Sequence, residues 1–220
     1  PIRAALMRLA GEGLLVPAAG GGFAVQSYSE VDVSAAIEIR GTLEGLAERL
    51  AAERGLDDVQ RAALEDALAE METVMVPPGA PDVHPETDGR VERYMNANAR
   101  FHRLIVALPG SKVLIDQVER ISRLAFASPS SFVRWHLDPE LAPTFMLAHL
   151  QHRLVVQAIV ARQGERAESL MREHARLTQH NLMAVLSDPV RRTLVPGAHL
   201  LQPAEFAPRP RNPNRRSPPP

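Results

Sequence analysis

The sequence has no cysteine in its 220 residues. Disulfide staples, thiolate metal sites and cysteine nucleophiles are therefore excluded, and a cytoplasmic location, where thiols stay reduced, is the expectation. Aromatic residues make up only 4% of the chain against 45% hydrophobic residues, so the core must be aliphatic. Ala, Leu and Arg dominate, and all three favour helix, which predicts an all-α protein. A formal net charge of −1 leaves the whole chain without a nucleic-acid footprint, although a small basic element can be masked by an acidic larger domain. No apolar run reaches the length of a membrane span, the N-terminus does not read as a signal peptide, and no membrane partner is expected. There is no internal repeat. There is also no initiating methionine: Pro1-Ile2-Arg3-Ala4-Ala5-Leu6 reads as the inside of a helix, so further residues are expected to precede Pro1 in the parent protein.

What is present divides into two parts and a tail. Ile2, Leu6 and Leu9 recur at helical spacing up to Gly13, with Arg3 and Arg8 between them. Leu14-Leu15-Val16-Pro17 and Phe23-Ala24-Val25 flank a glycine-rich turn, which predicts a β-hairpin. Ser29, followed three residues on by Asp32, is close to a capping box and opens a helix whose apolar stripe is Ala36, Ile39, Leu43, Leu46, Ala47 and Leu50, ended by Gly55. A second helix runs from about Asp57 to Met75, with Val59, Ala63, Ala67, Met71 and Val74 inward. After a Pro/Gly-rich loop at 77–89, helices follow from Arg90 to Leu108, from a cap at Ser111 to about Ala127, from near Pro139 to Ala161, and from Glu165 to Leu186. The Ser128–Ser131 break and a short irregular piece at 132–137 lie between the second and third of these helices. The predicted division is 1–27, 28–188 and a Pro/Arg-rich tail at 189–220, with 203–220 burying almost nothing and expected to be disordered.

Histidines carry the chemistry. Asn98 and His102 stand one turn apart on one helix, on a side adjoining Tyr94, Phe101 and Ile105. His152 lies among Leu150, Leu154, Val155 and Ile159, and His174 among Leu170, Met171 and Leu177. Three helices thus each bring a histidine towards an apolar interior. Three imidazoles with an oxygen donor suit Zn²⁺, Ni²⁺, Mn²⁺ or Fe²⁺. Three separate hydrogen-bonded core histidines fit the same spacing, and no short-range ligand motif such as HExxH decides between the two. His149, one turn before His152, reads as a partly exposed polar residue or as a neighbour of the ligands, and His136 and His180 as solvent-facing.

Several segments resemble the GntR family of bacterial transcriptional regulators, in its FadR branch with an FCD effector domain. Pro1-Ile2-Arg3-x-Ala5-Leu6-x-x-Leu9-x-x-Glu12-Gly13-Leu14 is similar to the end of that family's recognition helix, and Gly20-Gly21-Gly22-Phe23-Ala24-Val25 to its wing. Glu38-Ile39-Arg40-x-x-Leu43-Glu44-x-x-Ala47 resembles the start of the effector domain, and Asn98-x-x-Phe101-His102 its metal-binding helix. Gln151-His152 followed by Ala158-Ile159, then Ala167-Glu168-x-Leu170-Met171-x-x-His174, resembles its two closing helices. The match runs in order from residue 1 to about 186.

The resemblance implies an antiparallel helical bundle preceded by the C-terminal part of a winged helix-turn-helix with a β-hairpin wing. It implies a divalent metal held by Asn98, His102, His152 and His174. The family's first ligand is often an aspartate, and the neutral amide of Asn98 is a weaker donor that raises the site's charge by one unit. Arg40 is implied to face an effector carboxylate, which its guanidinium fork matches, while a salt bridge to Glu44 at i+4 is the alternative. Arg3 and Arg8 are implied as DNA contacts on the recognition helix, and the partners as operator DNA, a small carboxylate effector and a second copy in a homodimer. The run 36–45 together with Tyr94 and Asn98 most resembles vanillate-type regulators, which points to an aromatic acid. The expected function is therefore a ligand-responsive repressor and not an enzyme. A metal-dependent enzyme on the same three histidines would need a general base, and none is evident beside them. A ligand-free helical interaction module would leave the inward Asn98 and histidines without a purpose.

Overall fold

The computed structural model describes residues 1–11, 13–74, 89–124, 126–129, 142–193, 195 and 197–202. The expected loop at 77–88, the piece at 132–137 with His136, the helix start at Pro139 and the tail at 203–220 lie outside the described residues.

Helix α1 (Ile2–Gly11) buries no residue. It leads into strands β1 (Leu15–Pro17) and β2 (Phe23–Val25), which pair antiparallel with Val16 opposite Ala24. Gly21 and Gly22, both at positive φ, make the turn that a side chain would strain. A two-residue strand β3 (Tyr28–Ser29) then joins the hairpin to helix α2 (Glu30–Arg54). The capping box is complete: Ser29 Oγ accepts from the Asp32 backbone N–H, and Asp32 Oδ2 accepts from the Ser29 backbone N–H at 2.9 Å.

Helices α3 (Asp58–Val74), α4 (Arg90–Ala107), α5 (Lys112–Ser122), α6 (Ala142–Val160) and α7 (Gly164–Ser187) complete an all-α bundle. Side-chain pairings fix the helix directions. Ser34 meets Gln179, Glu38 meets Arg176, and Arg49 meets Glu168, so α7 runs antiparallel to α2. Tyr94 lies against Phe145 and Phe101 against His152, so α4 and α6 run the same way. Gly41 and Gly45 of α2 let α7 approach closely: a Cβ on Gly45 would lie 2.9 Å from the Glu168 carbonyl, and one on Gly41 would collide with the Ala175 methyl.

The apolar stripes were misassigned at two places. Ile39 is 49% exposed and Val59 79% exposed. Their places are taken by Ile37 and Leu64, and the inward face of α2 also carries Arg40, Glu44 and Glu48. Apolar periodicity follows the core only where apolar side chains fill it, and here charged groups occupy three successive turns of the buried face. Helix α5 stops at Ser122 rather than Ala127. Phe126, four residues past the helix end, sits at φ 64°, a left-handed conformation that a continuing helix could not contain, and its ring packs against a cluster with Val195, Ala198 and Leu201.

Of the segment expected as a tail from 189, the described residues up to 202 carry local structure. Asp188 Oδ1 accepts from the N–H groups of Val190 and Arg191 and starts helix α8 (Pro189–Thr193). A 3-10 turn (Ala198–Leu200) follows, and strand β4 (Leu201–Gln202) pairs in parallel with β3. Val195, Ala198 and Leu201 are each at most 5% exposed against Val33, Ile37, Leu182 and Val185. Burying each of the two larger side chains contributes on the order of 1.5–3 kcal/mol, which offsets the ordering of a stretch whose helix signals are weak. The main core lies farther along the bundle, around Leu64, Met71, Phe101, Ile105, Val155, Ile159 and Met171.

Candidate metal centre

The histidine site is built from four helices. Helix α4 brings His102 and Asn98, α6 brings His152 and His149, α7 brings His174, and α2 brings Arg40 and Glu44. His102, His152 and His174 are 3%, 1% and 6% exposed. Each offers a ring nitrogen, and these atoms all lie within 4.8 Å of one another. His152 Nε2 and His174 Nε2 are 3.1 Å apart. Two imidazole nitrogens about 2.1 Å from one ion, at about 90–110° to each other, stand about 3.0–3.4 Å apart.

Hydrogen bonds orient the rings. His174 Nδ1 lies 3.2 Å from Gln151 Oε1, an oxygen that can only accept, so Nδ1 carries the proton and Nε2 keeps its lone pair for the centre. His102 Nδ1 is 3.2 Å from Glu44 Oε1, at ion-pair distance but misaligned for a hydrogen bond. Both His102 nitrogens and His152 Nδ1 have no hydrogen-bond partner. Burial, then the charges of His102 and Arg40, hold the His174 imidazole down to about 3 against the pull of Glu44. Burial also keeps His152 well below the usual imidazole range, helped by His174 and His102. The site therefore presents three converging imidazoles, with His152 and His174 held neutral by burial, which is the donor type a borderline divalent cation requires. The residues present fit such an ion.

Glu44 is the residue that sequence reasoning undervalued. It is wholly buried, and its Oε2 accepts from Arg40 Nη1 at 2.8 Å. Burial pushes its carboxyl up, but Arg40 and then His102 outweigh this and hold it at about 2. The i,i+4 pair with Arg40 was visible in sequence; its second contact, to His102 on another helix, was not. One turn on, Glu48 is also wholly buried, with both oxygens unpartnered. Burial, reinforced by Glu44, raises its carboxyl well above the ordinary range. His149, expected to be partly exposed, is buried at 7%, with neither ring nitrogen partnered. Its turn of α6 faces the same interior as His152.

Asn98 is 4% exposed, and its Nδ2 donates to the Pro129 carbonyl at 3.1 Å. A cavity of about 460 Å³ runs outward between α4 and α5 from Glu44 and His102, past Val106 and Val118, to Arg103 and Arg123. Arg40 lies behind Glu44, buried at 1%, and is not among the described residues lining that cavity. His180 is exposed, as expected, and so are Arg3 and Arg8 on α1.

Residues 35–177, which carry the histidine site, Arg40 and Glu44, match the FCD domain. The chain belongs to the FCD domain family. The FCD match begins within α2 and ends within α7, so it takes in Arg40, Glu44, Asn98 and all three histidines. The chain is 28% identical over 177 residues to the HTH-type transcriptional repressor GlaR of Escherichia coli strain K12, covering 79% of this chain and 74% of GlaR. Among solved structures, E. coli McbR/YncC shares the fold with a TM-score of 0.57 at 19% identity, over 83% of this chain and 81% of its own. Lar, which controls the Listeria monocytogenes agr system, shares it with a TM-score of 0.58 at 16% identity, over 83% and 80%. The resemblance to GntR-type regulators with an FCD domain, read from the sequence, is upheld. No described helix is long and apolar enough to cross a membrane.

Proposed function

We propose that this FCD protein is a ligand-responsive, DNA-binding transcriptional regulator, a repressor acting as a homodimer on operator DNA. Residues 1–27 supply part of the DNA-reading element, with Arg3 the first contact and Arg8 the second, and the bundle is the effector domain. The observation that carries the reading is the convergence of three buried imidazoles inside the FCD match, one of which, His102, lines a cavity open to solvent.

His102, His152 and His174 would hold a divalent ion, with Asn98 able to add its amide oxygen once the ring cluster is filled. When bound, the ion supplies positive charge that attracts an effector carboxylate. Glu44 does not cancel that charge, because Arg40 neutralises Glu44 at 2.8 Å. The two together form a neutral pair beside His102, with Glu44 Oε1 3.2 Å from His102 Nδ1. Arg40, buried behind Glu44 and not among the described residues lining the cavity, acts through Glu44 rather than by meeting the effector carboxylate itself. The aliphatic cavity walls, including Val106, Ile115 and Val118, exclude water from an apolar or aromatic effector body. Release of DNA requires the effector to bind the DNA-incompetent arrangement more tightly, by about 1–3 kcal/mol for ordinary coupling. The protein is proposed as non-catalytic. The carboxylate nearest the imidazoles, Glu44, is held at about 2 by Arg40 and His102, too acidic for an efficient general base near neutral pH.

The test is calorimetric. Metal-loaded protein titrated with a panel of aliphatic and aromatic carboxylates is expected to bind at least one acid, and His152→Ala to lose that binding together with the metal. Binding of only neutral or cationic ligands, or a normal response in His152→Ala, overturns the metal–carboxylate reading.

A further inference from the structure

The last described residues meet the chain where the hairpin gives way to α2. Helix α7, which carries His174, runs into α8, and the chain then doubles back through the 3-10 turn to β4. Strand β4 pairs with β3, setting Leu201 beside Tyr28 and Gln202 beside Ser29. Gln202 Nε2 also donates to Ser27 Oγ at 3.0 Å. Residues 27–29 are the link between the hairpin and α2, so the last described residues of the chain pack on that link.

Arg192 holds this junction together. Its Nη1 donates to Glu30 Oε1 at 2.6 Å, in the first turn of α2, and to the Leu186 carbonyl at 3.2 Å, near the end of α7. Its Nη2 donates to the Leu201 carbonyl at 3.4 Å, in β4. One guanidinium thus joins α2, α7 and β4, using the planar fork that a lysine lacks. On the other side of the link, the Tyr28 hydroxyl donates to the Gly13 carbonyl at 2.9 Å, just past α1. The Tyr28 ring packs against the cluster of Val33, Val195 and Leu201. An unbroken run of polar and apolar contacts therefore leads from the end of the His174 helix to the end of α1.

We propose that residues 189–202 form a strap, with Arg192 and Tyr28 as positioning residues, that sets the orientation of α1 and the hairpin relative to the helical bundle. A two-residue ladder is too short to hold such a junction alone, and the Arg192 fork and the Tyr28 bond supply the remainder. The biological meaning, the aim of a DNA-reading element, rests on the proposed regulator function; the mechanical statement does not.

The absence of cysteine makes the strap directly measurable. Spin labels at Ala24→Cys in β2 and Val59→Cys in α3 report the hairpin–bundle distance, and labels at Val59→Cys and Val113→Cys report the bundle alone. In the otherwise unaltered chain, without DNA or effector, the hairpin–bundle distance distribution is expected to be narrow. Arg192→Ala should broaden it about twofold or more and reduce amide-exchange protection at residues 28 and 201 by about tenfold. Arg192→Lys should not restore it, and the bundle–bundle pair should stay unchanged. Tyr28→Phe, which removes only the hydroxyl, should broaden the same distribution, and it decides the matter if Arg192→Ala fails to fold. An unchanged hairpin–bundle distribution in Tyr28→Phe, or in a folded Arg192→Ala, overturns the strap. Neither outcome depends on metal or carboxylate binding, so failure here is separate from failure of the regulator reading.

Discussion

Replacing Glu48 with glutamine is expected to stabilise the protein by an amount that grows with pH. Glu48 is wholly buried, no group hydrogen-bonds either oxygen, and burial together with Glu44 raises its carboxyl well above 4.5. Below that value folded and unfolded chains are both protonated at this residue, and it adds no pH dependence. Above it the unfolded chain gives up a proton that the folded chain keeps. Folding must then take up that proton, and stability falls by about 1.4 kcal/mol for each pH unit until the folded carboxyl itself ionises. Glutamine has nearly the same shape, stays neutral, and buries an amide no better partnered than the acid, so only the proton term is removed. Titrations of Glu44 and the histidines occur in both proteins and largely cancel in the difference. The assay is urea unfolding of chelator-treated wild type and Glu48→Gln at intervals from about pH 4.5 to about pH 7.5. The two stability curves should converge at the acid end and separate with the stated slope above it. Parallel curves would show that Glu48 is ionised in the fold, and would refute the reasoning.

Other outcomes follow from the same geometry. In metal-free protein, the ring proton shifts of His174 and His152 should not titrate near pH 6.5, since burial holds His174 at about 3 and His152 also low; a proton NMR titration with an ordinary midpoint for either would contradict the buried triad. Stability that depends on Glu44 should be intact above about pH 4.5 and lost as pH falls towards 2, because its folded value lies below its unfolded one; an acid unfolding curve unaltered in Glu44→Gln would count against the Arg40–Glu44–His102 chain. Gly41→Ala should cost about 1–3 kcal/mol in denaturant unfolding despite alanine's better helix propensity, since its methyl meets Ala175. In a protein with an intact DNA-binding domain, Arg3→Ala should weaken operator binding at moderate salt, and unchanged affinity in a fluorescence titration would remove Arg3 as a contact.

Local signals were legible where the chemistry is local. Ser29 with Asp32, Ser111 and Gly55 each mark a helix end by satisfying or freeing a backbone group nearby, and each stands where the sequence put it. The three histidines were legible because each sits among apolar residues on its own helix. Glu44, Glu48 and the burial of His149 were not, because a charged residue on a helix reads as solvent-facing unless its partner is known, and the Glu44 partner His102 comes from another helix. Ile39 and Val59 failed for the converse reason: an apolar side chain can remain outside when a neighbour one or more positions away fills the space. The β3–β4 pairing joins two dipeptides far apart in the chain, 28–29 and 201–202, and no periodicity records so distant a contact.

The Gly41–Gly45 seam decides which helices are able to shift. With the Ala175 methyl keyed against Gly41 and the Glu168 backbone against Gly45, a slip of one residue along the axis, about 1.5 Å, would drive the methyl into the backbone of α2. Helices α2 and α7 therefore behave as one rigid plate, carrying Glu44 on one member and His174 on the other. Helices α4 and α6 contain no glycine and meet their neighbours through side chains, which can change rotamer. A guest that alters the spacing of the imidazoles then displaces His102 and His152 together with their helices, while the plate that bears the strap stays as the fixed frame of reference.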